Sequence, residues 1–212
     1  MSTCAECKKK ECQKSEVSNL SNCPTKDKDW LKSVKAEYEK EENIKISQLA
    51  AHIEKTGYCK WTRIEEIYHF AKQGKMNKIG IAFCVGLSNE ARVVSRYFRT
   101  KGFDVVSAVC CCGALDKSVA KIAEDDKFNP FEEESMCNPI GQALLFNKLS
   151  TDLNVILGLC VGHDSLFMKY AKSLTTVLAV KDRVLGHNPL AAIYQSESYY
   201  KKKLFDEDTE WL

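Results

Sequence analysis

From Lys78 onward the chain alternates between two periods, and this alternation restricts its possible folds more than any other feature. "KIGIAFC", "FDVVSAVCC", "NVILGLC" and "TTVLAVKD" are short, rich in β-branched residues and almost continuously apolar, the pattern of strands covered on both faces. With them alternate "SNEARVVSRYFRTKGF", "NPIGQALLFNKL", "DSLFMKYAK" and "NPLAAIYQSESYYKKKL", which read as helices; in the first, Ala91, Val94, Tyr97 and Phe98 share one face and Gly102 ends it. Strand, helix, strand, helix predicts an α/β fold, with a mainly parallel, Rossmann-like sheet in a three-layer αβα arrangement and right-handed crossovers. The acidic stretch 123–136, "AEDDKFNPFEEESM", breaks the pattern and reads as a surface excursion or lid.

Three helices are expected before the sheet. Trp30, Leu31, Val34 and Tyr38 recur at helical spacing between Trp30 and Glu42, with Asp29 as candidate cap. Ile46, Leu49, Ala50 and Ile53 do the same in "KISQLAAHIEKTG", which Gly57 stops. "TRIEEIYHFAKQGK" opens on Thr62 with Glu65 three residues later, a capping-box arrangement. The first 28 residues have no hydrophobic period and hold four cysteines, so they cannot order themselves without a staple. The expected organisation is a cysteine-rich metal-binding segment (1–28), a helical lead-in (29–75) and an α/β domain (76–205). A length of 212 residues with 44% hydrophobic content suits one main core and an appendage.

Charge names no partner. Lys and Arg total 31 against 29 Asp and Glu, which argues against nucleic acid. "MSTCAECKKKECQK" lacks the apolar core of a signal peptide, and no run approaches the ~20 apolar residues that span a bilayer. A soluble, cytoplasmic protein without a membrane partner is expected. Eleven cysteines without a secretion signal then point to metal ligation or thiol chemistry rather than disulfides.

In an open parallel sheet the ligand crevice lies beyond the carboxyl ends of the strands, where strand order reverses. Cys84 ends the first strand, Cys110, Cys111 and Cys112 the second, and Cys160 the third, while Cys137 precedes the helix that feeds the third. One such cysteine is ordinary core filler, but six positions converging on one rim argue for a cofactor-binding site. Gly86, Gly113 and Gly162 follow three of them and promise close backbone approach. Cys59, in "TGYCKWT", has no such setting and reads as packing. His163 and Asp164 begin the next helix, where the N-terminal N–H groups favour a thiolate, although the plain role of Asp164 is a cap. Lys181, Asp182, Arg183 and His187 leave the fourth strand on the same rim, before Asn188 as cap and Pro189 at the first helical position. His163, Lys181 and Asp164 are the candidate catalytic groups.

Cys4, Cys7, Cys12 and Cys23 supply four thiolates, the full complement for tetrahedral zinc or a 4Fe-4S cluster. Only one C-x2-C pair is present and Cys23 is followed by Pro24, which tilts the choice to iron–sulfur, with zinc as the alternative.

The motifs "FCVGL", "MCNPIGQA", "GLCVGHDSLFMK" and "VKDRVLGHNPLAA", behind a four-cysteine segment, resemble a family of cysteine-rich proteins, mostly from anaerobes, described as metal-binding and of unknown function. The resemblance runs from about Cys4 to Tyr200 and implies a metal site but no particular reaction. Carried over by position, Cys84, Cys137, Cys160, His163, Asp164, Lys181, Asp182, His187 and Asn188 fall in its motifs, whereas the triple cysteine 110–112 departs from them. Three expectations result: an iron–sulfur protein with a rim centre and redox, sulfur-handling or lyase chemistry on a small molecule or redox partner; a metal-free enzyme with Cys160 as nucleophile and His163 as base; or a zinc-stapled binding module with packed rim cysteines.

Overall fold

The computed structural model describes residues 4–17 and 20–205, so part of the 1–28 segment lies outside the described residues. The chain divides into two compact units, Met1–Lys60 and Trp61–Leu212. The first contains short 3-10 turns at Cys4–Glu6, Glu11–Lys14 and Pro24–Lys26, then helices α1 (Lys28–Tyr38) and α2 (Glu41–Gly57). The cap of α1 is Asp27 rather than the expected Asp29: its Oδ1 accepts from the Trp30 N–H at 2.9 Å. The bond to an N–H three residues on sets the choice, and Asp29 falls in the first turn.

The second unit opens with α3 (Arg63–Gln73), whose capping box is formed as expected: the Glu65 carboxylate accepts from the Thr62 N–H at 2.7 Å and its hydroxyl at 2.6 Å. Then follow β1 (Lys78–Phe83), α4 (Ser88–Thr100), β2 (Asp104–Val109), α5 (Pro139–Lys148), β3 (Leu153–Leu157), α6 (His163–Tyr170) and β4 (Leu174–Ala179). All three strand pairings are parallel, in the order β2-β1-β3-β4. On one face, Ile67 and Ala71 of α3 and Ala91, Val94 and Phe98 of α4 close over Ile79, Ile81, Val105 and Val155. On the other, Ala143 and Phe146 of α5 and Phe167 of α6 close over Ala82, Ala108 and Ile156. The three-layer α/β expectation is therefore met. The last expected helix is not continuous: α7 (Leu190–Tyr194) and α8 (Lys201–Phe205) are separated by turns, and Pro189 is the cap rather than the first helical residue. "QSESYY", between them, offers no apolar stripe to bury, so packing does not extend either helix.

At Gly80, in the middle of β1, the sheet and α5 come into close contact. A Cβ there would stand 2.7 Å from the Phe146 ring and 2.8 Å from Asn154 Oδ1, a separation that real side chains do not reach. Gly80→Ala should therefore force Phe146 out of place and lower stability by about 1–3 kcal/mol. Urea denaturation measures this, and an unchanged midpoint would show that the two layers are not in such contact.

The acidic excursion is an ordered loop rather than a charged fringe. Asp116 accepts from the N–H groups of Ser118 and Glu134, both at 2.8 Å, and pairs with Ser135 in an antiparallel bridge. Lys117 meets Glu134 at 2.7 Å and Lys127 meets Glu124 at 2.8 Å, while Glu134 also accepts from the N–H groups of Phe128 and Asn129. Hydrogen bonds from Ser118, Lys127 and Lys117 hold the carboxyls of Asp116, Glu124 and Glu134, respectively, below their ordinary values. Depressed carboxyls stabilise a fold fully above their unfolded pKa of about 4, and that stabilisation is lost as pH falls from there through their lower folded values. Amide NMR signals of Ser118, Phe128, Asn129 and Glu134 should thus move towards random-coil positions below about pH 4 while those of β1 and β3 stay in place; simultaneous loss of all signals would contradict a loop braced by these carboxylates.

Candidate functional site

The parallel register places Phe83 beside both Val109 and Leu157. Cys84 and Cys110 therefore leave the sheet level with each other, and the Cys84 N–H donates to Leu157 O at 3.3 Å. Strand order reverses between β1 and β3, so the crevice expected at a switch point opens between the chain segments that carry Cys84 and Cys160. Cys137 is brought in by its neighbour. The Asn138 N–H donates to Cys110 O at 2.6 Å, its Nδ2 donates to Cys112 O at 3.0 Å, and its Oδ1 caps α5 by accepting from the Gly141 N–H at 2.8 Å. Beneath them the fully buried Gln142 donates through Nε2 to Phe83 O at 3.3 Å and Ala108 O at 2.7 Å. This one amide ties the ends of β1 and β2 to α5. Its Oε1 is buried with no partner among the described residues.

The Cys84, Cys110 and Cys137 side chains act on one another. The Val85 N–H reaches the Cys110 sulfur at 3.4 Å. A hydrogen bond shared with Cys137 pushes the Cys110 thiol far above its ordinary value, and burial adds to this. The same bond draws Cys137 down, against burial and the neighbouring Cys160, Cys84 and Cys111. Of the triple cysteine, Cys110 thus joins this group; Cys112 packs against the α5/α6 core and is raised first by burial, and Cys111 is half-buried beside it.

Cys160 is held differently. Arg183 Nη2 donates to its sulfur at 3.2 Å, which raises the guanidinium's affinity for its proton. A Cβ added at Gly86 would meet Lys181 Nζ at 3.7 Å and Cys84 Sγ at 4.0 Å, so the Lys181 amine and the Cys84 thiol share one small patch. "CVGHDSL" offers no arginine of its own to Cys160; the arginine arrives from the segment after β4, which no local spacing could reveal. Asp182 and His187 are engaged within that segment: the Asp182 N–H donates to His187 Nδ1 at 3.1 Å, and Asp182 Oδ1 accepts from the N–H groups of Val184 and Leu185 at 2.9 and 2.8 Å. They brace the turn that carries Arg183. Asn188 donates its N–H to Leu185 O in the same turn.

His163 and Asp164 do start α6, and both of their N–H groups donate to Cys160 O, at 3.0 and 3.1 Å. Asp164 is not the cap, because Gly162 holds that position and the Asp164 carboxylate accepts from Ser165 N–H instead. Nor is Gly162 there for close approach: its φ is +84° and nothing lies within 4 Å of a Cβ placed on it. Its left-handed backbone is the reason for glycine. Among the described residues the His163 ring makes no hydrogen bond.

In the first unit, Cys4, Cys7 and Cys23 line a hollow of about 350 Å³. Lys10 N–H donates to Cys7 Sγ at 3.5 Å, and Cys23, 2.7 Å from the Thr25 hydroxyl, is lowered chiefly by that contact. Cys12 is exposed on its own turn. Cys59, expected to pack, is exposed with φ +55° after the end of α2. Among the described residues no group of three or more His, Cys, Asp or Glu side chains stands arranged to hold a metal ion, and no helix is long and apolar enough to cross a membrane.

The molecule is thus of the class of parallel α/β proteins with a thiol-lined rim at the carboxyl ends of the strands. Residues 23–178 match the family described as Protein of unknown function (DUF1847), and the chain belongs to that family. An uncharacterized protein, MJ0455, of Methanocaldococcus jannaschii is 48% identical over 203 residues, which cover 96% of this chain and 98% of that protein. No solved structure matches the chain.

The hydrogen bond between Cys110 and Cys137 makes a direct prediction for metal-free protein. Cys137 should alkylate at lower pH than an ordinary thiol, and Cys110→Ala, which deletes its partner, should move that half-reaction upward in pH. Mass-spectrometric mapping of iodoacetamide labelling across a pH series reads both; equal profiles for the two proteins would count against the bond.

Proposed function

We propose that the protein is a metal-binding protein whose centre, of the iron–sulfur kind, is held by Cys84, Cys110, Cys137 and Cys160. The observation that carries this reading is the gathering of four thiols from four separate chain segments, near enough to shift one another's acidity; among the described residues they do not stand in ligand geometry, so loading reorients them. Soft thiols are the donor set for iron–sulfur clusters and zinc. A metal bound there displaces the S–H protons, because only thiolates ligate. When bound, such a cluster supplies one-electron transfer. The chain's own contribution is charge and exclusion of water: the Lys181 ammonium beside Cys84 and the Arg183 guanidinium on Cys160 offset the negative charge that clustered thiolates accumulate, and the α5/α6 core closes the rim from below. The Cys4, Cys7 and Cys23 hollow supports a second, N-terminal metal position.

Anaerobic reconstitution of the full chain with ferrous iron and sulfide tests the proposal. Iron and sulfide should be retained with a visible chromophore, and protons should be released on loading. Serine at Cys84, Cys110, Cys137 and Cys160 together should remove the rim iron, whereas serine at Cys4, Cys7, Cys12 and Cys23 should leave it. A colourless, iron-free protein, or full retention by the rim variant, would overturn the proposal.

The contact between Arg183 and Cys160 favours one second reading, metal-free thiol chemistry, in which the guanidinium holds the Cys160 thiolate in place of the His163 base first expected. Stoichiometric alkylation of Cys160 alone, lost in Arg183→Ala, marks that reading, whereas metal that protects all four rim cysteines from alkylation excludes it.

A further inference from the structure

On the α4 side of the sheet lies a groove of about 660 Å³ lined by Arg92, Arg96 and Arg99. We infer that it is a binding site for a small molecule carrying linked phosphoryl groups. Spacings of four and three residues put the three arginines on one face of α4. Like charges at such spacing destabilise a helix, and the groove has no carboxylate in its lining to relieve them. None of the three forms an ion pair among the described residues, since the arginine ion pair there belongs to Arg63 and the nearest acid of β2, Asp104, is taken by Lys78 at 3.3 Å. Glu90, the acid of α4, stands two residues and about 200° round the helix from Arg92. The helix thus carries a repulsive cost that the protein itself does not offset, as a site for an anion does.

The rest of the lining narrows the ligand. Ser88, Ser95 and Ser107 add hydroxyls to the lining, that of Ser88 donating to Val85 O at 2.6 Å, and Phe83 and Ala91 provide apolar walls. Arg99 is pre-set by donating from Nη2 to Val105 O at 3.0 Å, and Arg92 Nη1 leans on Asn89 Oδ1 at 3.5 Å. Guanidinium forks match phosphoryl oxygens in pairs. Arg92 to Arg99 spans about 10 Å along the helix axis, which suits two or three linked phosphoryl groups better than one. The volume lies within the roughly 300–1,000 Å³ of small-molecule sites, and β2 is an edge strand, so the groove is open to entry from the side.

The test is calorimetric titration of the full chain with inorganic triphosphate and, separately, with ATP, at two salt concentrations. Both should bind, more weakly at the higher salt, and Arg92→Ala with Arg96→Ala should weaken them at least about tenfold, the loss of one or more charge-assisted contacts. Lys148→Ala, on α5, should change nothing. Tighter binding of ATP assigns a nucleotide, with the apolar walls contacting the nucleoside; equal binding assigns inorganic polyphosphate. Both arginines are exposed, so the double variant should unfold at or above the wild-type temperature, which separates lost binding from lost fold. No binding of either probe, binding indifferent to the double substitution, or preference for a glutamate-rich peptide over both probes would overturn the inference.

Discussion

Everything at the rim depends on β1 being paired in parallel on both sides. With β2 and β3 as its two neighbours, the strand that follows β1 in sequence and the one that follows β2 depart in opposite directions. The switch point then falls between β1 and β3. Because the register is level at Phe83, Val109 and Leu157, Cys84 and Cys110, the first residues past β1 and β2, are also level, and Cys160 follows three residues past Leu157. The cysteines at the ends of β1 and β2 are therefore a statement about one site, not about two strands. A one-residue slip in either ladder would turn the side chains to the opposite face and separate Cys84 from Cys110. The tight seat of Phe146 on Gly80 works against such a slip, since only glycine admits the ring there.

The sheet alone does not bring Cys137 to the rim. Between Cys112 and Cys137 the chain makes a long detour, and a detour of that length held only by its ends would leave Cys137 free to wander. The detour is instead tied to itself through Asp116, Lys117 and Glu134, so that it leaves and returns at adjacent points joined by the Asp116–Ser135 bridge. Asn138 then fastens the return to Cys110 and Cys112 with two hydrogen bonds while capping α5 with a third. An asparagine at that position serves the helix and the site with the same side chain. The acidic composition that marks the stretch in sequence is the visible half of an ion-pair network whose lysines are inconspicuous.

Much of this was legible. Strand and helix order, the α3 capping box and the convergence of cysteines on one edge follow from periodicity and spacing, because each depends on contacts between residues near in sequence or on a topological rule. What escaped depends on contacts distant in sequence. Arg183, expected on the rim, reaches Cys160 from the segment after β4, and nothing in "CVGHDSL" announces that contact. Cys110 is distinguished from Cys111 and Cys112 only by where the turn after β2 points each sulfur. The α1 cap moved two residues because Asp27 and Asp29 are equivalent as sequence signals, and only backbone conformation selects between them. Gly162 reads in sequence as a place of close approach although its left-handed φ is what requires glycine, since space and a left-handed φ leave the same trace in sequence. A net charge of +2 likewise concealed three arginines gathered on one helix face, for composition averages over what geometry concentrates.

Charge also separates the two faces of the sheet. Around the thiols the cations are few and specifically placed: one guanidinium on Cys160 and one amine beside Cys84. Four thiolates close together repel one another strongly at the low dielectric of a half-buried site, and a compact positive neighbour lowers that repulsion without filling the space between the sulfurs. In the groove of α4 the arginines are unopposed and outward. Phe83 borders that groove, and its backbone oxygen is held by Gln142 just before Cys84. The end of β1 is therefore common to both, gripped on the thiol side by a buried amide and walled on the other by an exposed cationic helix. The two sites therefore share a strand end although their chemistries are distinct.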